Sequence, residues 1–147
     1  MPRKTTPNIE IVVGPNGKKP VRAYAEAAGM DIFSAENKTI KPFEVVKIKT
    51  DLKFSIPAGY YLKIEERSGV SLNTFLKRKA GVVDSDYRGE VHIVMQNVSN
   101  QTQYVALGDK IAQAVVMKHE PVKLSVVEKF SSPNTERGSK GFGSSGM

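Results

Sequence analysis

Val45-Val46-Lys47-Ile48-Lys49-Thr50-Asp51-Leu52-Lys53-Phe54-Ser55-Ile56-Pro57-Ala58-Gly59 is the stretch whose pattern decides the fold. Val46, Ile48 and Thr50 alternate with Val45, Lys47 and Lys49, and Leu52, Phe54 and Ile56 alternate with Lys53 and Ser55. A period of two sends the two sets to opposite faces, so both segments are expected as half-buried β-strands. Pro57-Ala58-Gly59 then turns the chain, with proline fixing φ at the start and glycine accepting positive φ. Outward from here the same grammar repeats. Ile9–Val13, closed by the turn signal Gly14-Pro15-Asn16-Gly17, reads as a strand, as do Tyr60–Glu65, Val91–Val98, Ile111–Met117 and Leu124–Val127. The single helix expected is short, Val70–Leu76. Many brief Val- and Ile-rich strands predict an all-β subunit, a jelly-roll-like barrel or sandwich. Residues 1–130 are expected to form this core. Residues 131–147, rich in Ser and Gly, read as a flexible C-terminal arm.

A chain of 147 residues with 39% hydrophobic and 25% charged side chains suits one globular domain with a real core. No apolar run approaches the roughly 20 residues of a membrane helix, so no membrane association is expected. The basic N-terminus lacks the apolar stretch of a secretory signal, which points to a cytoplasmic or nuclear protein. There is no cysteine, hence no disulfide framework and no thiolate nucleophile or ligand. His92 and His119 share no metal-ligand spacing, so a bound divalent ion would take oxygen ligands, which favours Mg2+. Twenty-two Lys and Arg against 15 Asp and Glu give a net charge of +7, suited to polyanions such as nucleotides. The lysines are scattered and no aromatic-interleaved basic motif occurs, so specific nucleic-acid binding is not expected. The Gly14–Lys18 loop lacks the spacing of a nucleotide P-loop and reads as a plain turn.

Five short motifs carry the chemistry. They are Ala28-Gly29-Met30-Asp31-Ile32, Arg67-Ser68-Gly69, Gly81-Val82-Val83-Asp84-Ser85-Asp86-Tyr87-Arg88-Gly89, Gly108-Asp109-Lys110-Ile111-Ala112-Gln113, and Arg137-Gly138-Ser139-Lys140-Gly141-Phe142-Gly143-Ser144-Ser145-Gly146. Residues 81–92 are expected as a β-hairpin with a polar tip. A carboxylate there can orient and deprotonate a water that attacks a phosphoanhydride. Asp84 and Asp86 lie two residues apart on one strand face, so spacing alone does not choose between them. Arg67, Ser68 and Gly69 combine a cation, a hydroxyl and room for close backbone approach. The last motif is flexible on composition, yet its glycines and hydroxyls suit wrapping a phosphate chain.

This ordered set resembles the dUTPase family, the deoxyuridine triphosphate nucleotidohydrolases, over most of the chain. The resemblance implies hydrolysis of dUTP to dUMP and pyrophosphate, assisted by Mg2+. It makes Asp84 the general base and leaves Asp86 as a turn or interface residue. It implies that main chain of the hairpin, from Gly81, Val82 and Val83 to His92, reads uracil, while Tyr87 packs on the deoxyribose. Arg67, Ser68, Gly69 and Gln113 would hold phosphate oxygens, and Asp31 the metal, through water. Arg137 would reach the γ-phosphate, Phe142 would stack on uracil, and Gly143, Ser144 and Ser145 would close over the phosphates. A homotrimer with interfacial sites is implied, each arm donated by a neighbour. The chain departs from the family pattern at Phe75, Arg78-Lys79, Lys110, Ser145 and Met30. Two other readings stand beside it: a dCTP deaminase of the same broad fold, and a non-catalytic nucleotide-sensing or protein-binding module. The 84–87 segment and the complete Phe142 arm weigh against the first. Intact Asp84, Arg137 and Phe142 weigh against the second.

Overall fold

The structure, a computed structural model, describes residues 5–143. In chain order these form β1 (Glu10–Val13), β2 (Gly29–Phe33), β3 (Lys38–Ile40), β4 (Val45–Lys49), β5 (Leu52–Ser55), β6 (Tyr60–Glu65), α1 (Ser68–Asn73), β7 (Leu76–Arg78), β8 (Val82–Val83), β9 (His92–Asn97), β10 (Gln103–Val105) and β11 (Lys110–Lys118). All pairing between these strands is antiparallel. A four-stranded sheet runs β2-β11-β6-β8, a three-stranded sheet runs β4-β9-β7, and β1-β5 and β10-β3 are two-stranded. The alternation read in the sequence is what fills the interior. Val46 and Ile48 point inward while Lys47 and Lys49 stay exposed, and Leu52 and Phe54 repeat the pattern. Ile48, Leu52, Leu62 and Ile93, from both main sheets and from β5, join one buried cluster. Burial of such a side chain stabilises by ~1.5–3 kcal/mol. The result is a sandwich of the jelly-roll kind without barrel closure.

Buried polar groups are satisfied by local geometry. Asn97, fully buried, donates from Nδ2 to the carbonyls of Ile40, Lys41 and Gln101, and its Oδ1 accepts from Ser99. Gly59 takes φ of 88° in the turn after Pro57, as its position in the sequence requires. Gly108 takes the same φ at the entry to β11, where Asp109 Oδ2 caps the turn by accepting from Ala106 N.

Three expectations are corrected. The helix occupies Ser68–Asn73 and not Val70–Leu76, because Leu76 is needed inside, 3% exposed, at the start of β7. Leu124–Val127 forms no strand: a ladder needs a partner, none occurs among the described residues, and Leu124 is 88% exposed. The 81–92 segment is not a paired hairpin. Val82 and Val83 pair with Lys63 and Leu62 of β6, whereas β9 pairs with β4 and β7. Val83 and Val91 are both core residues, so the chain must cross between the two sheets there.

Candidate functional site

The Asp84 segment hangs from the edge of the larger sheet. β8 is the outermost strand, and Ile64 N donates to Gly81 O at 2.7 Å just before it. A Cβ on Gly81 would lie 2.8 Å from Ile64 O and 2.5 Å from Arg78 Nη1, so glycine is required for this approach. Val83 faces the core and offers only main chain, while Val82 is exposed. Asp84 N-terminal to the tip is exposed, and its carboxylate has no hydrogen-bond or ion-pair partner among the described residues. Its carbonyl accepts from Tyr87 N at 3.2 Å, which closes the turn. The Tyr87 hydroxyl donates to Glu90 O at 2.8 Å and the ring lies across Gly89, leaving a face open to solvent. His92 turns its imidazole toward Glu90, 3.6 Å away.

Asp84 lines a cleft of about 530 Å³ with Val82, Ser85, Asp86, Tyr60, Tyr61 and His119. The three ring residues are new relative to the sequence reading. Tyr61 and His119 lie with centroids 6.3 Å apart at 46°. The signal that could have found them is register: Tyr61 pairs with Met117 on β11, and His119 follows at that strand's end.

A second group sits on the outer face of the same sheet. Asp31, Gln113 and Glu65 pair in one row across β2, β11 and β6. Asp31 Oδ1 accepts from Arg67 Nε at 2.9 Å, and Lys110 Nζ lies 3.6 Å from Oδ2. A bulge at Lys110–Ala112 lets Ile111 and Ala112 both point inward and turns Lys110 outward to this carboxylate. Gln113 Nε2 donates to the Glu66 carbonyl at 2.8 Å, and its Oε1 fills the place where a Gly29 Cβ would be. The Lys63 hydrogen bond holds the Glu65 carboxyl below its ordinary range; desolvation opposes this, and the charges of Lys63 and Arg78 reinforce it. Arg78 Nε is the buried side-chain nitrogen without a partner among the described residues. Ser68 is exposed, and among the described residues a Cβ on Gly69 would meet nothing nearer than Arg67 Nη1 at 4.0 Å.

The arm forms a third group. From Lys118 to Lys140 every residue is exposed, and from His119 to Gly143 there is no strand or helix. Arg137 Nε donates to Lys140 O at 2.6 Å within a local turn, and Gly138 and Gly143 take positive φ. Phe142 is fully exposed. Ser144 and Ser145 lie outside the described residues. Asp84, the Arg67 group and the Arg137 turn therefore border three separate clefts of one chain.

No group of three or more His, Asp or Glu suited to a metal occurs among the described residues. No described helix is long and apolar enough to cross a membrane.

The family model described as dUTPase matches residues 15–146. A deoxyuridine 5'-triphosphate nucleotidohydrolase of Mus musculus is 42% identical over 127 residues, spanning 86% of this chain and 77% of that protein. Among solved structures, a Staphylococcus bacteriophage 80alpha dUTPase with dUpNHpp superposes with a TM-score of 0.89 at 33% identity, over 95% of this chain and 99% of that one. A mutant dUTPase from phage phi11 of S. aureus, solved with a structural Mg(II) ion, gives a TM-score of 0.80 at 31% identity, over 85% and 99%.

Proposed function

This chain belongs to the dUTPase family and is a dUTP diphosphatase, and we propose that its chemistry runs through Asp84. In this reading a water accepted by the Asp84 carboxylate loses a proton to it and attacks the α-phosphorus. The bond to the bridging oxygen breaks opposite, releasing pyrophosphate and leaving dUMP. The observation that carries this is the state of the carboxylate: exposed in a cleft and unpaired, it is available to a water, whereas Asp31 is committed to two cations. Asp86 lines the same cleft, and we assign the base to Asp84 on the resemblance of its motif to the family pattern.

The remaining assignments come from the family resemblance, and the geometry supports several of them. The main chain of Gly81, Val82, Val83 and His92 is assigned to the base, since the side chains of Val83 and His92 point elsewhere. Tyr87, its hydroxyl engaged, offers a ring face to the sugar and excludes a 2′-hydroxyl by bulk. Arg67, Ser68, Gly69 and Gln113 are assigned to the phosphates, with Gln113 acting largely through the Glu66 carbonyl it holds. Arg137, Phe142, Gly143, Ser144 and Ser145 close the site from the arm, residues 131–147, over a core of residues 1–130. Because one chain presents these groups in separate clefts, we assign the complete site to the interfaces of a homotrimer.

Mg2+ fits this residue set only as an ion carried by the substrate. Asp31 keeps lone pairs beyond those used by Arg67 and Lys110, enough to accept from coordinated water, and no protein cage is present among the described residues. When bound, the ion neutralises phosphate charge. The protein acts on dUTP, without membrane or specific nucleic-acid partners in this reading.

The test is a nucleotide panel with Asp84→Asn beside the parent. The parent should release pyrophosphate, not ammonia, and prefer dUTP over dTTP, UTP and dCTP. Asp84→Asn should lower kcat by about 10²–10⁴-fold while dUpNHpp binds within a few-fold of the parent. Near-parental turnover in the variant would move the base elsewhere, and ammonia from dCTP would replace the reaction itself.

A further inference from the structure

We propose that Asp31 is the positioning residue of Arg67, aiming its guanidinium at the triphosphate independently of any metal. The inference rests on the dUTPase reading of the site and assigns Asp31 a task beyond holding a hydrated ion. Arg67 Nε donates to Asp31 Oδ1 at 2.9 Å, and the described residues place no partner on its two terminal nitrogens. Using Nε as the anchor leaves the parallel fork of Nη1 and Nη2 for a phosphate, the geometry guanidinium suits best.

The carboxylate is itself fixed. Asp31 sits on β2 with its side chain 13% exposed, and Lys110 reaches its other oxygen at 3.6 Å. The backbone ahead of Arg67 is fixed too, because Gln113, paired with Asp31 in the sheet, donates to the Glu66 carbonyl. Arg67 is thus held at both ends, by its backbone through Gln113 and by its guanidinium through Asp31. Each Asp31 oxygen already faces one cation. Two positive side chains beside one carboxylate weaken its pull on a divalent ion, while a single carboxylate that orients an arginine gains from both.

Calorimetry of the full chain with dUpNHpp in EDTA separates the two roles, together with Mg2+ titrations of turnover. Positioning predicts that Asp31→Ala weakens metal-free analogue binding about tenfold. Asp31→Asn, whose amide oxygen still accepts from Nε, should stay within about threefold. In an Arg67→Ala background, Asp31→Ala should add less than about twofold, since the group it orients is gone. The half-saturating Mg2+ concentration of Asp31→Asn, whose amide oxygen can still accept from coordinated water, should rise by no more than about threefold. The proposal is overturned if Asp31→Ala binds the analogue in EDTA as well as the parent or better, the result expected when a repelling carboxylate is removed from a phosphate site. It is equally overturned if Asp31→Asn is as impaired as Asp31→Ala, or if both raise the Mg2+ requirement about tenfold while metal-free binding is unchanged. Asp31→Asn is close in shape to the parent, so its thermal midpoint guards against loss of fold. A parent that fails to bind dUpNHpp refutes the dUTPase reading, a result distinct from any of these.

Discussion

Arg67 and Arg137 are the same side chain in opposite settings. Arg67 follows β6, is 27% exposed in its side chain, and meets a carboxylate that the sheet register holds in place. Arg137 lies in a turn of exposed residues and donates to a carbonyl three residues along its own segment. The difference is one of preorganisation. Folding fixes the first cation before any ligand arrives, whereas in the proposed reading the second is ordered only when the arm closes over nucleotide. Ordering backbone costs about 1–2 kcal/mol per residue, so contacts made by the arm must offset several such terms. A segment of this kind acts best as a lid, closing over bound nucleotide and excluding water.

Removing the arm is the most severe way to test that contrast. Truncation after Ser132 should lower kcat by about 10³-fold or more, the scale associated with an arginine acting on transferred phosphate. The thermal midpoint should not move, because the described residues of the deleted segment lie outside the buried cluster and nearly all are exposed. Turnover within about threefold of the full chain would strip the arm of its role. A fall in Tm alongside lost activity would mean that it supports the fold or the assembly.

Two glycines sharpen the same comparison at smaller cost. A Cβ on Gly29 would lie 2.1 Å from Gln113 Oε1, so Gly29→Ala must push that amide away from the Glu66 carbonyl. Overpacking of this kind costs about 1–3 kcal/mol, and the midpoint should fall by a few degrees. Activity should fall about tenfold as the Arg67 segment loosens. Gly69→Ala meets no atom within 3.4 Å among the described residues, and alanine favours the helix it sits in, so its midpoint should not fall. Any activity it loses then reports on what docks there, ligand or neighbouring copy. Equal midpoints for the two variants would show that Gln113 gives way freely and does not hold the Arg67 segment.

What the sequence disclosed divides along the same line. Strands of four or more residues with strict alternation, such as Val45–Lys49 and Tyr60–Glu65, were legible because one face meets the core. Three-residue strands such as Leu76–Arg78 carry too short a period to register, and the helix ended early for the same reason. Leu124–Val127 alternates like a strand yet has no partner among the described residues, a fact no local pattern contains. The site residues were named by their motifs, but their mutual geometry was not. That Asp31 faces Arg67, that Gln113 serves a carbonyl, and that Tyr61 and His119 border the Asp84 cleft all follow from β11 lying between β2 and β6. The sheet order is a long-range property, and spacing along the chain does not encode it.

The smallest effect expected is at Glu65, which completes the row from Asp31 through Gln113 but pairs with Lys63 and Arg78 and not with Arg67. Its carboxyl is held below its ordinary value of 4.5 chiefly by the Lys63 hydrogen bond. A carboxylate with a depressed folded-state pKa adds stability that is fully present above the unfolded value and disappears as pH falls through the folded one. Glu65→Gln should therefore lower Tm slightly near neutrality, and the gap to the parent should close progressively below pH 4.5. Because the group is partly exposed, added salt should shrink the gap as well. Turnover at neutral pH should be unchanged, since Arg67 is anchored by Asp31 and Gln113 and not by this pair. A clear loss of kcat in Glu65→Gln would mean that the row acts as one unit, with Glu65 reaching Arg67 through the backbone of Glu66. A gap that widened on acidification would reverse the sign assigned to the Lys63 contact.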